Sequence, residues 1–110
     1  MTLSERQRLF TKLVPRLIDK IFESGDECTL GEVYRSPETA TAYEKMKVGI
    51  KKSLHIKRLA IDLNLFKGGE YIVDTEAHRP YGEYWESLHP SNRWGGRFKD
   101  GNHYEMREGD

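Results

Sequence analysis

Apolar residues in the first quarter of the chain return at three- and four-residue steps: Leu9, Phe10, Leu13, Val14, Leu17, Ile18, Ile21 and Phe22. This is the spacing of one face of a helix. Thr2 with Glu5, or Ser4 with Gln7, offers a capping box at its start, and Gly25 offers a stop. Pro15 falls inside the stretch. It lacks the N–H that a helix interior uses and crowds the preceding turn, so the pattern predicts either a kink or a second helix with Pro15 in its first turn.

Beyond Gly25 the period changes to two. Residues 28–34, Cys-Thr-Leu-Gly-Glu-Val-Tyr, alternate as a strand that Arg35 ends. Ser36-Pro37-Glu38 then reads as cap, first helical position and acidic first turn of a helix running to about Lys47. A loop with Gly49, Lys51 and Lys52 follows. The clearest strand covers 59–66: Leu59, Ile61, Leu63 and Leu65 share one face, and Ala60, Asp62, Asn64 and Phe66 the other. Lys67-Gly68-Gly69-Glu70 is a hairpin turn, and Tyr71-Ile72-Val73 returns. Asp74 or Thr75 caps a short helix carrying Tyr81, Tyr84, Trp85 and Leu88. Residues 90–102 form a Gly-rich loop, and 103–107 a last strand. Helices and antiparallel strands mix without βαβ alternation, which is an α+β pattern. At 110 residues the expectation is a single domain over 1–110, with an N-terminal helical segment 1–25 and a core over 28–107.

Charge narrows the function. Eighteen basic residues balance eighteen acidic ones, which argues against a polybasic nucleic-acid or membrane-surface binder. Twelve aromatic residues (4 Phe, 6 Tyr, 2 Trp) argue against disorder. Apolar runs are too short for membrane insertion. Residues 1–8 are polar with no apolar run behind them, so the expectation is cytoplasmic synthesis without a signal peptide. Cys28 is the one cysteine, expected as a small buried hydrophobe beside a strand. A metal site must therefore draw on histidines and carboxylates.

Three such residues stand out. Asp62 lies amid Ala60, Ile61, Leu63 and Leu65, where a carboxylate is costly unless paired or bound to a metal. His55 precedes that strand and His103 opens another. If the two strands are neighbours, two imidazoles and a carboxylate converge, the composition of a catalytic zinc site with one open position.

The order of these residues adds a resemblance. Ser53-Leu54-His55-Ile56-Lys57-Arg58-Leu59-Ala60-Ile61-Asp62 resembles the S-x-H-x-x-G-x-A-x-D signature of zinc D-Ala-D-Ala peptidases of the VanX/VanY type, a family that includes phage L-alanyl-D-glutamate endopeptidases. Residues 94–105, Trp-Gly-Gly-Arg-Phe-Lys-Asp-Gly-Asn-His-Tyr-Glu, resemble the W-G-G…F-x-D-x-x-H-F-E ending of the endolysin branch. Val33-Tyr34-Arg35-Ser36-Pro37-Glu38 resembles the Y-R-T/S-P-E segment. The resemblance implies a Hedgehog/DD-peptidase-like fold, a small antiparallel sheet with helices packed on one side. It implies Zn2+ held by His55, Asp62 and His103, with Asp100 as acid/base and Arg35 facing the substrate carbonyl. Ser53 matches the signature serine and falls to a supporting place. Glu105, two residues from His103, shares its sheet face and either orients that ligand or is solvated. Trp94 reads first as one wall of the cleft and otherwise as the anchor of its loop on the core. Arg58 departs from the pattern by standing at the signature glycine.

The implied activity is zinc-dependent hydrolysis of peptidoglycan stem peptides. A phage or prophage endolysin cleaving L-Ala–D-Glu, acting on the cell wall after release as a monomer, comes first. A D-Ala-D-Ala carboxypeptidase or dipeptidase, and a non-catalytic zinc-containing wall-binding module, are the alternatives. His78 and His89 match no ligand position and read as surface residues flanking a helix. Tyr81, Tyr84 and Trp85 read as core, and Lys47, Lys51, Lys52, Lys57 and Arg58 as a solvated basic face.

Overall fold

The structure, a computed structural model, describes residues 1–46 and 53–109. The first helix, α1 (Leu3–Glu23), uses the Thr2–Glu5 capping box: Glu5 N–H donates to Thr2 Oγ1 at 3.1 Å and Thr2 N–H to Glu5 Oε1 at 2.8 Å. Neither a second helix nor a break appears at Pro15; α1 runs through it. Pro15 and Thr11, whose carbonyl loses its helical donor, are both exposed, so water can serve that carbonyl. Phe10, Leu13, Leu17 and Ile21 form its buried stripe.

Strand β1 (Glu27–Leu30) is shorter than the alternation of 28–34 predicts. The reason lies opposite Asp62. Gly31 N–H donates to Asp62 O, and Asp62 N–H donates to Glu32 O, both at 2.8 Å. Two residues oppose one, the pattern of a bulge. A Cβ on Gly31 would stand 3.0 Å from Asp62 Cβ, so the close approach uses the glycine's missing side chain. Helix α2 (Pro37–Lys45) starts as the sequence predicts, with Thr39 N–H on Ser36 Oγ. The loop with Gly49, Lys51 and Lys52, and Lys47 itself, lie outside the described residues.

Strand β2 (Ala60–Lys67) turns through Gly68 and Gly69, both at positive φ, into β3 (Glu70–Ile72). Asp74 caps a 3₁₀ turn over Thr75–His78, which leads into α3 (Arg79–Leu88). Residues 90–102, expected as loop throughout, contain β4 (Asn92–Trp94) and a 3₁₀ turn over Gly95–Phe98. The last strand, β5 (His103–Met106), pairs with both β4 and β2.

The antiparallel sheet has the order β1-β2-β5-β4, with β3 also on β2. Ile61, Leu63, Leu65, Tyr104 and Met106 pack with the buried side chains of α1, and with Tyr81 and Trp85 of α3. The Phe10 and Trp85 rings meet edge to face, 5.6 Å between centroids. Alternation then places Asp62, His103 and Glu105 on the opposite face. Cys28, half-buried on β1, belongs to the margin of this core, and burial pushes its thiol pKa up.

Two side chains also lie elsewhere than expected. Trp94 is fully buried and lines no cleft. Its indole fills the space left by two glycines, where a Cβ on Gly82 or Gly96 would fall 2.1 Å from ring atoms, and its Nε1–H donates to Gly101 O at 2.7 Å. His78 is 2% exposed rather than at the surface. It sits 2.7 Å from the buried hydroxyl of Tyr104. Burial, with the nearby Lys67 charge, lowers its pKa to about 4.

Candidate metal centre

Asp62 and His103 are directly opposed across β2 and β5. His55 arrives from the turn ahead of β2. Ser53 starts that turn: its Oγ accepts from His55 N–H at 3.2 Å, and its carbonyl accepts from Ile56 N–H. Arg58 closes the turn at φ 56°, a left-handed conformation that favours glycine. Its guanidinium lies over the Tyr34 ring, 4.0 Å from the centroid. The departure from the signature glycine therefore coexists with the glycine-like backbone.

His55, Asp62 and His103 offer one donor atom each within 4.8 Å of one another. Asp62 Oδ1 is 3.2 Å from His55 Nε2 and 3.3 Å from His103 Nδ1. Around a tetrahedral ion with ligands at roughly 2.0–2.1 Å, neighbouring donors stand about 3.3–3.4 Å apart. Both rings are oriented from behind. His55 Nδ1 is 3.0 Å from Val33 O, which accepts its proton, so Nε2 presents a lone pair to the group. His103 Nε2 is 2.7 Å from Glu105 Oε1, which leaves Nδ1 as the inward lone pair. Arg93 Nη2 contacts Glu105 Oε2 at 2.7 Å and keeps that carboxylate charged. The donor set, its spacing and the positions of the outer protons fit a divalent metal such as zinc.

Protein charges alone already pull these groups apart in pKa. Burial favours neutral His103, but hydrogen bonds to Asp62 and Glu105 outweigh it and push the ring up to about 9. Burial opposes the Asp62 charge too, yet His103 and His55 hold its carboxyl at about 2. A metal ion would take the place of the inward proton on His103.

Asp100 stands at the rim, half-exposed, with Oδ2 3.8 Å from His103 Nδ1. Partial burial, with repulsion from Asp62 and Glu105, raises its carboxyl pKa against the pull of His103 and His55. Its backbone is fixed: Asp100 N–H donates to Gly95 O, and Asp100 O accepts from His103 N–H. Phe98, 45% exposed and 5.7 Å from the His103 ring, flanks the group from the position assigned to Trp94 by the sequence.

Arg35 is close to the group but paired. Its Nε donates to Glu32 Oε1 at 3.0 Å, and its Nη2 contacts the same oxygen. That oxygen is 3.7 Å from His55 Nε2. Glu32 and Arg93 are the residues that sequence reasoning missed. Glu32 carries one signal, a spacing of three residues from Arg35, and Arg93 carries none. His89 remains apart from the group and accepts from Ser91 N–H. Lys57 and Arg58 are exposed, as a solvated basic face requires.

The fold is α+β and DD-peptidase-like, and the site is a His-Asp-His group on the sheet face opposite the hydrophobic core. No protein-family model and no curated protein matches the chain. Among solved structures it is similar to the L-Ala D-Glu endopeptidase ChiX of Serratia marcescens, with a TM-score of 0.63 and 17% identity over 74% of this chain and 67% of that one. At that identity the likeness is one of fold. Among the described residues no helix is long and apolar enough to cross a membrane.

Proposed function

We propose that the chain is a zinc-dependent peptidase acting on peptidoglycan stem peptides, with the L-Ala–D-Glu bond as its substrate and a phage or prophage lysin as its setting. The observation that carries this reading is the preset donor group, with both outer imidazole nitrogens already hydrogen-bonded and Asp100 at its rim. The fold shared with an L-Ala D-Glu endopeptidase supports the choice of bond.

Bound at His55, Asp62 and His103, zinc supplies a Lewis acid for the peptide carbonyl and a more acidic water. Asp100 takes the proton of the attacking water and returns it to the leaving amine. Arg35 spends Nε and Nη2 on Glu32, and its remaining guanidinium donors serve the substrate carbonyl oxygen as charge develops. Val33 O and Glu105 keep the two imidazoles in the ligating tautomer.

The test is digestion of purified peptidoglycan by zinc-loaded protein, with new termini identified by mass spectrometry and a chelated control. New D-Glu amino termini that disappear with chelator are expected. Released D-Ala would move the activity to a carboxypeptidase. No new termini on several wall types would overturn the peptidase reading in favour of a wall-binding module.

A further inference from the structure

Glu32 has no use in the chemistry above, yet it is paired with Arg35 beside the donor group. The Glu32 backbone is tied to one ligand residue, since Glu32 O accepts from Asp62 N–H at 2.8 Å. The Arg35 backbone is tied to another, since Arg35 N–H donates to His55 O at 3.2 Å. Both side chains are mostly buried, 25% and 11% exposed. Glu32 Oε1 approaches His55 Nε2 to 3.7 Å, only a few tenths of an ångström beyond the spacing of Asp62 from either imidazole. It is also the oxygen that Arg35 holds with two N–H groups. The Tyr43 ring, 5.1 Å from the guanidinium carbon, stacks Arg35 in place.

We infer that Glu32 is a latent fourth metal ligand, and that Arg35 keeps the fourth position open by holding the Glu32 carboxylate away from the ion. The inference rests on the metal site at His55, Asp62 and His103. With its Cα fixed beside Asp62, a released Glu32 has a cation within reach on one side and no guanidinium on the other. Carboxylate ligation would then close the site as structural zinc sites are closed.

The test is a double-mutant cycle on zinc affinity, measured by competition with a chromophoric chelator, using wild type, Arg35→Met, Glu32→Gln and the double variant. Loss of the Arg35 charge favours a cation by itself, and that effect persists when Glu32 is absent. Ligation by Glu32 does not. The expected result is a gain of roughly tenfold or more from Arg35→Met, the scale on which groups around a ligand set alter affinity, and loss of most of that gain in the Glu32→Gln background. Cobalt-substituted Arg35→Met should show a changed visible spectrum, with the double variant returning to the wild-type bands. An equal gain in both backgrounds, or an unchanged cobalt spectrum, overturns the inference. Arg35→Gln, which keeps one donor and more of the packing, runs in parallel so that misfolding of the Met variant does not decide the matter. Failure of wild type to bind zinc would instead overturn the metal site itself.

Discussion

His78 makes the fold sensitive to mild acid, and the size of the effect follows from its surroundings. The ring is buried and its Nδ1 meets the Tyr104 hydroxyl, whose own ionisation burial pushes far up, so the phenol donates and the ring accepts as a neutral base. The folded pKa is about 4 against an ordinary 6.5, set by burial first and the Lys67 charge next, with Asp74 opposing. An unfolded chain binds this proton as pH falls below about 6.5, and the folded chain does not until about 4. The stability from neutral His78 is thus complete above about pH 6.5 and drains away as pH falls through that window. The linkage integral gives a loss of about 2 kcal/mol between about pH 7 and about pH 5. His78→Asn places an amide oxygen near the former Nδ1, keeps an acceptor for Tyr104 and cannot titrate. Urea unfolding of both proteins at about pH 7, 6 and 5, with chelator so that the ligand residues contribute equally, isolates the histidine. The wild type should lose about 2 kcal/mol relative to the variant on going to about pH 5. A stability difference that stays constant with pH would refute the reasoning.

Three further outcomes are expected. Asp100→Ala should retain zinc and lose roughly a hundredfold or more in stem-peptide hydrolysis, read from a stoichiometric zinc assay beside the rate. Glu105→Gln removes the charged acceptor of His103 Nε2–H and should weaken zinc binding by roughly 10- to 100-fold, read by chelator competition. Gly82→Ala gains about 1 kcal/mol of helix propensity. It also drives a methyl to 2.1 Å from the Trp94 ring, and overpacking of about 1–3 kcal/mol or more outweighs the gain. Thermal unfolding should show a lower midpoint.

Local patterns made β2 legible, because a strand with one buried face alternates strictly and Asp62 was its single costly residue. The α1 and α2 starts were legible from their caps. The two histidines of the candidate centre became legible through the resemblance of their flanking residues, since neither His55 nor His103 carries a signal of its own. The β1 boundary was not, because a bulge inserts one residue into an otherwise even alternation. Trp94 and His78 were misplaced for a shared reason. Each lies in a stretch rich in turn formers, and each is buried by partners distant in sequence: Gly82 of α3 for Trp94, Tyr104 of β5 for His78. Likewise β4 has three residues between Pro90 and Gly95, too few to show a period.

The donor residues differ in how firmly the chain holds them. Asp62 gives both backbone groups to the Gly31–Glu32 bulge and lies in register with His103 on β5, a strand with two neighbours. His55 sits on a turn whose last residue holds an uncommon left-handed backbone. The turn is closed mainly by bonds within itself, and such local bonds open more readily than a strand paired on two sides. In the proposed centre the 53–58 turn would thus be the more adjustable side, while the paired strands set the spacing of Asp62 and His103. Ions larger than zinc should displace the His55 side of the centre and leave the Asp62 amide, bonded to Glu32 O, as slow to exchange as before.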